Sequence, residues 1–341
     1  MLKQVMRAPG AIVFEEVPVP DIGPRDVLVR MEKIGICGSD VHVWHGQHPF
    51  TRYPVTQGHE VSGTVERVGA EVNGLREGQL VTIEPQLVCS ACHPCRHGKY
   101  NLCEHLRVMG FQAPGAAQQY FAVDASRVTP LPDGFSPEDG AMIEPLAVAV
   151  HAVRRTGDIQ GKDVAVIGAG PIGNLVAQAA KGMGARRTLV TDLSDFRLSI
   201  ARACGADEAV NTDREPFGDA MLRCFGPDKT DFIYDCVGND ASMGQAIAHA
   251  RKGSAIILVA VFSGPATIDL AVANNHELDI LSTMMYRHED YLEAIHLVQE
   301  GKVQLPPLVT ARFPFRDYAD AYRHIDQHRE TTMKVIVDVW G

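Results

Sequence analysis

The stretch "DVAVIGAGPIGNLVAQAAKGMGA", residues 163–185, decides the architecture. Four apolar residues, Val164 to Ile167, read as a strand, "GAGPIG" at 168–173 fits G-x-G-x-x-G, and an Ala-rich helical stretch follows. Glycine-rich loops end many strands for packing reasons, so the context carries the reading. Here an acidic residue, Asp192 in "LVTD", closes the second strand roughly twenty positions on. Gly168 permits a tight turn, Gly170 lets backbone approach a pyrophosphate, and Gly173 allows close helix packing. Pro171 suits the first helical turn, where its missing N–H costs nothing, and Ile172 completes the loop. The helix start then presents unpaired N–H groups to phosphate. Asp192 would accept hydrogen bonds from the adenosine ribose hydroxyls and repel a 2′-phosphate, so NAD is expected over NADP. Arg197 leaves some NADP use open, and a helix cap is the alternative role for Asp192.

The same alternation continues downstream through "RRTLVTD", "DFRLSIARACGA", "TDFIYDCVG", "ASMGQAIAHARKG" and "SAIILVAV". Strands and helices in this order imply an α/β unit with a doubly wound parallel sheet, placed at 149–284. Residues before it read differently. Short β-branched runs such as "DVLVRMEKIGIC" and "VSGTVERVG", broken by Gly and Pro, predict a strand-rich antiparallel domain with long loops. The C-terminal "VIVDVW" reads as a return to strands.

Bulk properties exclude several classes. The 341 residues are 45% hydrophobic and 22% charged, with a formal net charge of −10. A soluble two-domain chain is expected, and neither nucleic acid nor a membrane is an expected partner, since both require clustered Lys and Arg. No apolar run has signal-peptide or membrane-spanning length, so a cytoplasmic location is the expectation. In that reducing compartment clustered cysteines bind metal more often than they form disulfides.

"CSACHPCRHGKYNLC" at 89–103 holds four of the eight cysteines. Cys89, Cys92, Cys95 and Cys103, spaced C-x2-C-x2-C-x7-C, can wrap one tetrahedral ion in a closed shell, which favours structural zinc. A bacterial-type iron–sulfur run would place its fourth cysteine after three residues and follow it with Pro. Upstream, "GICGSDVHVW" and "TQGHEVSG" supply Cys37, His59 and Glu60, each a competent zinc ligand. A three-ligand set with an open position is the form taken by catalytic zinc.

Together these motifs resemble the zinc-containing medium-chain dehydrogenase/reductase superfamily, and within it the sorbitol (L-iditol) 2-dehydrogenase-like polyol branch. The resemblance runs from "GICGSDVH" and "GHE" through the cysteine lobe and "MIEPLAVAVHA" to "GAGPIG" and "TDLS". It implies a GroES-like catalytic domain, 1–148 with 285–341, and an inserted Rossmann domain, 149–284. It implies two zinc ions per subunit, the catalytic one held by Cys37, His59, Glu60 and Glu144, with direct or water-mediated ligation by either glutamate left open. Ser39 and His42 match the proton relay, and Asp40 the residue that orients His59. The implied reaction is reversible oxidation of a secondary alcohol, with hydride passed to NAD.

Substrate positions carried over from the resemblance are Ser39, Phe111, Glu144 and Tyr286; Trp44 is a further candidate to line the pocket, equally suited to a core. Met285 stands where the polyol branch has arginine, and Arg287 or His288 are candidates to compensate. Gln118 and Gln119 fall near the expected pocket wall. Polyols, inositols, sugar acids and sugar phosphates stay open, although a phosphate would need a basic cluster and none is visible in the linear sequence. L-Threonine 3-dehydrogenase, galactitol-1-phosphate dehydrogenase and hexonate dehydrogenase activities are the rivals. A non-catalytic NAD-binding protein is disfavoured, because every expected zinc and relay position is filled. A homotetramer, or else a homodimer, is implied.

Overall fold

The run that opened the reading forms strand Asp163–Ile167, buried at every position. It is central in a six-stranded, all-parallel sheet. The order is Glu208–Asn211, Arg187–Asp192, Asp163–Ile167, Phe232–Asp235, Ala255–Leu258, Asp279–Ser282. Numbered along the chain, that order is 3-2-1-4-5-6, and ligands bind such sheets where the order reverses, between strands 1 and 4. Gly168 lies at that point, directly after strand 1. The computed structural model describes residues 1–262 and 264–341.

The other unit is built on a seven-stranded sheet. Its path runs Val309–Pro314, Lys334–Asp338, Asp26–Ile36, Glu60–Val68, Leu80–Ile83, Val128–Pro130, with Tyr120–Asp124 also paired to Asp26–Ile36. All pairings are antiparallel except that between Val309–Pro314 and Lys334–Asp338. A hairpin, Leu2–Ala8 with Ala11–Glu16, adds a separate ribbon. The core joins Val27, Val29, Met31 and Ile34 to Val335 and Val337 of the C-terminal strand.

The units are Met1–Glu144 with Val309–Gly341, and Pro145–Leu308. The expected boundary at 284/285 is therefore corrected to 308/309, with the first boundary four residues earlier than expected. The reason is helix His288–Gln299, whose Asp290 is fully buried and accepts from His151 Nδ1 at 2.7 Å and Arg154 Nη1 at 2.9 Å. Both partners lie on helix Pro137–Arg154, so the later helix is clamped to the parallel-sheet unit.

Burial alone would raise the Asp290 carboxyl, but bonds from His151, the Arg287 N–H and Arg154 outweigh it and hold it below 3.8. A depressed folded pKa stabilises fully above the unfolded value, and the contribution disappears as pH falls through the folded one. Asp290→Ala should cost about 2 kcal/mol at pH 7, because it strands the buried His151 donor and removes one of the two carboxylate partners of half-buried Arg154. Chemical denaturation checks this, and the difference from the parent should shrink below about pH 4.

Candidate functional site

Strand Asp26–Ile36 delivers Cys37 to the start of the short helix Gly38–Trp44, and strand Glu60–Val68 begins at Glu60 directly after His59. Gly35 pairs across the ladder with Glu60, which brings the two segments together. The ligand atoms of Cys37, His59 and Glu60 lie within 4.8 Å of one another. His59 and Glu60 are buried. One thiol, one imidazole and one carboxylate at this spacing fit a divalent ion of zinc type. Glu144 is also buried, near the middle of helix Pro137–Arg154, but falls outside that trio.

The surrounding groups orient the trio. Asp40, 1% exposed, accepts from the Cys37 backbone N–H at 2.9 Å and from Gln57 Nε2 at 3.2 Å. The Oδ1 that takes the Gln57 bond also stands 3.4 Å from His59 Nδ1, which leaves Nε2 for an ion. Burial lowers the His59 pKa, but the Asp40 charge and bond, with Cys37, raise it well above 6.5. Tyr322 then donates to Gln57 Oε1 at 2.6 Å, extending the chain of bonds to the C-terminal helix Tyr318–Gln327. None of Gln57, Tyr322 or Tyr318 was singled out from sequence. A buried glutamine two residues before His59 was the available signal.

Lys334 is a second residue missed. It is 2% exposed, and Nζ reaches both Glu60 oxygens at 2.6 and 2.7 Å. Burial lowers its pKa, but Glu60 and Cys37 raise it further, so the ammonium is charged. A Cβ at position 35 would run into the Glu60 carboxylate, so Gly35 makes room for this pair. The readable signal was one lysine opening the apolar strand "KVIVD".

Ser39 is half-buried and His42 exposed, three positions apart on the short helix. Phe111, 8% exposed, lies with its ring 4.8 Å from that of His59 and 4.8 Å from that of His48. Two other substrate expectations are corrected. Trp44 is packed in the core and stacked on Tyr322, centroids 5.0 Å apart and 5° from parallel. Tyr286 is fully buried against Tyr291, so its surface is already taken by protein. Arg287 pairs with Glu289 at 3.0 Å. Gln119 accepts from the Leu2 N–H and Gln118 donates to the Gly115 carbonyl, so both secure backbone.

The four-cysteine lobe closes on itself above a small ribbon, Gln86–Leu87 with Arg107–Val108. Sγ–Sγ distances of 4.0 Å for Cys89–Cys95 and 3.9 Å for Cys92–Cys103 are far beyond a disulfide. They approach the ~3.8 Å edge of a tetrahedron with ~2.3 Å metal–sulfur bonds. N–H groups of Ala91 and Cys92 point at Cys89 Sγ and draw that thiol down to about 6. The set fits a closed structural zinc. Cys103→Ser should lower the melting temperature by several degrees with a smaller effect on kcat, as calorimetry and initial rates would show.

In the other unit, Gly168 has φ +97°, and a Cβ at Gly173 would collide with the Gly168 carbonyl oxygen. Gly170 caps helix Pro171–Gly182, with Pro171 at its first position and Ile172 next, and has open space beside it. Asp192 accepts from Ala169 N–H at 2.7 Å and Ser194 N–H at 2.8 Å. Ser194, not Asp192, caps the next helix, and Arg197 Nη1 stands 4.0 Å from Asp192. The loop thus has the form that cradles a pyrophosphate.

Residues 23–133 match the model of the alcohol dehydrogenase GroES-like domain, and residues 171–300 that of the zinc-binding dehydrogenase domain. The chain is 37% identical to human sorbitol dehydrogenase over 327 residues, 94% of this chain and 91% of that one. It is 32% identical to L-galactonate-5-dehydrogenase of Escherichia coli K12 over 334 residues, 97% of each. An alcohol dehydrogenase from Escherichia coli CFT073, solved with NADH, superposes with TM-score 0.91 at 29% identity, covering 99% of both chains. With the two metal-fitting clusters and the nucleotide loop in place, this full-length similarity makes the chain a zinc-dependent, NAD(P)-linked oxidoreductase of the medium-chain alcohol dehydrogenase family.

Proposed function

We propose that the protein reversibly oxidises a secondary alcohol of a polyol or sugar-derived acid to the ketone, with NAD as hydride acceptor. The observation that carries this reading is the trio of half-buried Cys37 with buried His59 and Glu60 beside Phe111, in a chain whose relatives include sorbitol and L-galactonate dehydrogenases. Bound there, with Glu144 completing the shell, zinc would supply Lewis-acid polarisation of the alcohol oxygen. Bound at the Gly168–Gly173 loop, NAD would supply the hydride acceptor. Asp40 holds the His59 ring, Ser39 takes the hydroxyl proton, and His42, exposed on the same helix, passes it to water. Phe111 offers the carbon skeleton an apolar wall.

The direct test is a panel of hexitols, inositols, hexonates, galactitol 1-phosphate and L-threonine with NAD and zinc, followed by reduced-cofactor absorbance. Turnover confined to L-threonine, or to no member, would overturn the reading. For the cofactor, Asp192→Asn removes the charge and keeps one acceptor oxygen where the parent uses two, Oδ2 for the Ala169 N–H and Oδ1 for the Ser194 N–H. It should reduce the preference for NAD over NADP by roughly tenfold. An unchanged preference would leave Asp192 as a loop latch only.

A homotetramer or homodimer acting in the cytoplasm completes the proposal. No helix among the described residues is long and apolar enough to cross a membrane.

A further inference from the structure

The fold builds one feature that neither the motifs nor the relatives announce. In a chain of net charge −10, a cavity of about 560 Å³ collects three cations, Lys3, Arg7 and Arg52. Lys3 and Arg7 lie on alternate positions of strand Leu2–Ala8 and so share one face. Arg52 comes from a loop far along the chain. Glu15 also lines the cavity, but its carboxylate is bonded to Arg7 at 2.8 Å. Lys3 and Arg52 have no carboxylate partner among the described residues.

Two links tie this cavity to the metal-fitting trio. Phe111 lines it and also packs on His59. Its wall, Pro54 to Thr56, runs within four residues into His59 and Glu60. We infer that the Lys3 and Arg52 cavity is a subsite for the carboxylate end of the substrate, making a hexonate or related sugar acid, rather than a neutral polyol, the preferred alcohol. This rests on the reading above and sharpens it.

A carboxylate suits the lining better than a phosphate. The guanidinium fork matches a carboxylate or a phosphate in two parallel bonds, with the ammonium as a second point charge, so the wall makes the choice. Phosphate cradles are built from successive backbone N–H groups, whereas here Pro54 and Pro114 line the wall and have none to give.

The test titrates L-idonate, sorbitol and galactitol 1-phosphate into the zinc- and NADH-loaded protein by calorimetry, where no turnover occurs, and then measures kcat/KM for the same three with NAD. L-Idonate should bind more tightly than sorbitol. Arg52→Gln and Lys3→Gln should each cut the L-idonate to sorbitol ratio of kcat/KM by roughly 10- to 100-fold, through KM, whereas Arg52→Lys retains most of it. Raising ionic strength should erode the same ratio. Sorbitol oxidation without L-idonate binding, or L-idonate binding indifferent to both glutamine variants, would overturn the subsite and leave the polyol reading standing. Tighter binding of the phosphate than the carboxylate would overturn the assignment to sugar acids. L-Idonate binding that weakens in the variants without turnover of any alcohol would overturn the reaction and keep the subsite.

Discussion

Cys37→Ala should lower kcat/KM by roughly 10³- to 10⁴-fold and leave the fold in place. Polarisation of the alcohol oxygen by a metal contributes several kcal/mol, and each 1.36 kcal/mol is a decade in rate. Cys37 supplies the trio's one sulfur, and its neighbours offer only an imidazole and a carboxylate already bonded to Lys334. Elemental analysis should find one zinc equivalent lost and one retained in the four-cysteine lobe. A variant that keeps both equivalents, or turns over at the parent rate, would place the chemistry elsewhere.

Lys334→Met should destabilise the zinc-free protein by about 3–5 kcal/mol, the range for breaking a buried pair by removing one partner. Glu60 is 1% exposed, and its carboxylate would lose two charge-assisted bonds with no water to replace them. Zinc bound to the trio adds a countercharge beside the same carboxylate, so the zinc-loaded variant should lose measurably less. Urea denaturation with and without zinc reads the difference. Equal losses in the two states would mean that lysine and metal do not share Glu60. Lys334→Arg keeps a buried cation and should fall between parent and Met variant.

Several parts of this arrangement were legible because they are local. The turn at Gly168, the helix started by Pro171 and the spacing of Cys89 to Cys103 each fit within a few residues, so linear order is also spatial order. The metal-fitting trio Cys37, His59 and Glu60 was legible from short motifs around each of its members. Lys334 was not, since its partner is 274 positions away. The basic cavity was invisible for the same reason, as Lys3 and Arg52 become neighbours only after the hairpin and the 50–56 loop are folded. Trp44 and Tyr286 show a different limit. An aromatic residue near a motif has the same composition whether it faces a ligand or a core, and only packing distinguishes them. Helix His288–Gln299 was misassigned because an amphipathic pattern tells which face is buried but not against which unit.

The strand that carries Lys334 also sets an order of events during synthesis. At roughly 5–20 residues per second, the 274 positions separating Glu60 from Lys334 correspond to about 14–55 s on the ribosome. All of Pro145–Leu308 emerges within that interval, and its parallel sheet can close without waiting for either terminus. The first 144 residues meanwhile lack strand Lys334–Asp338, the Glu60 counterion and the tyrosines of helix Tyr318–Gln327. The middle of the chain is thus set to mature first, and the metal-binding unit to lock only when its last strand arrives.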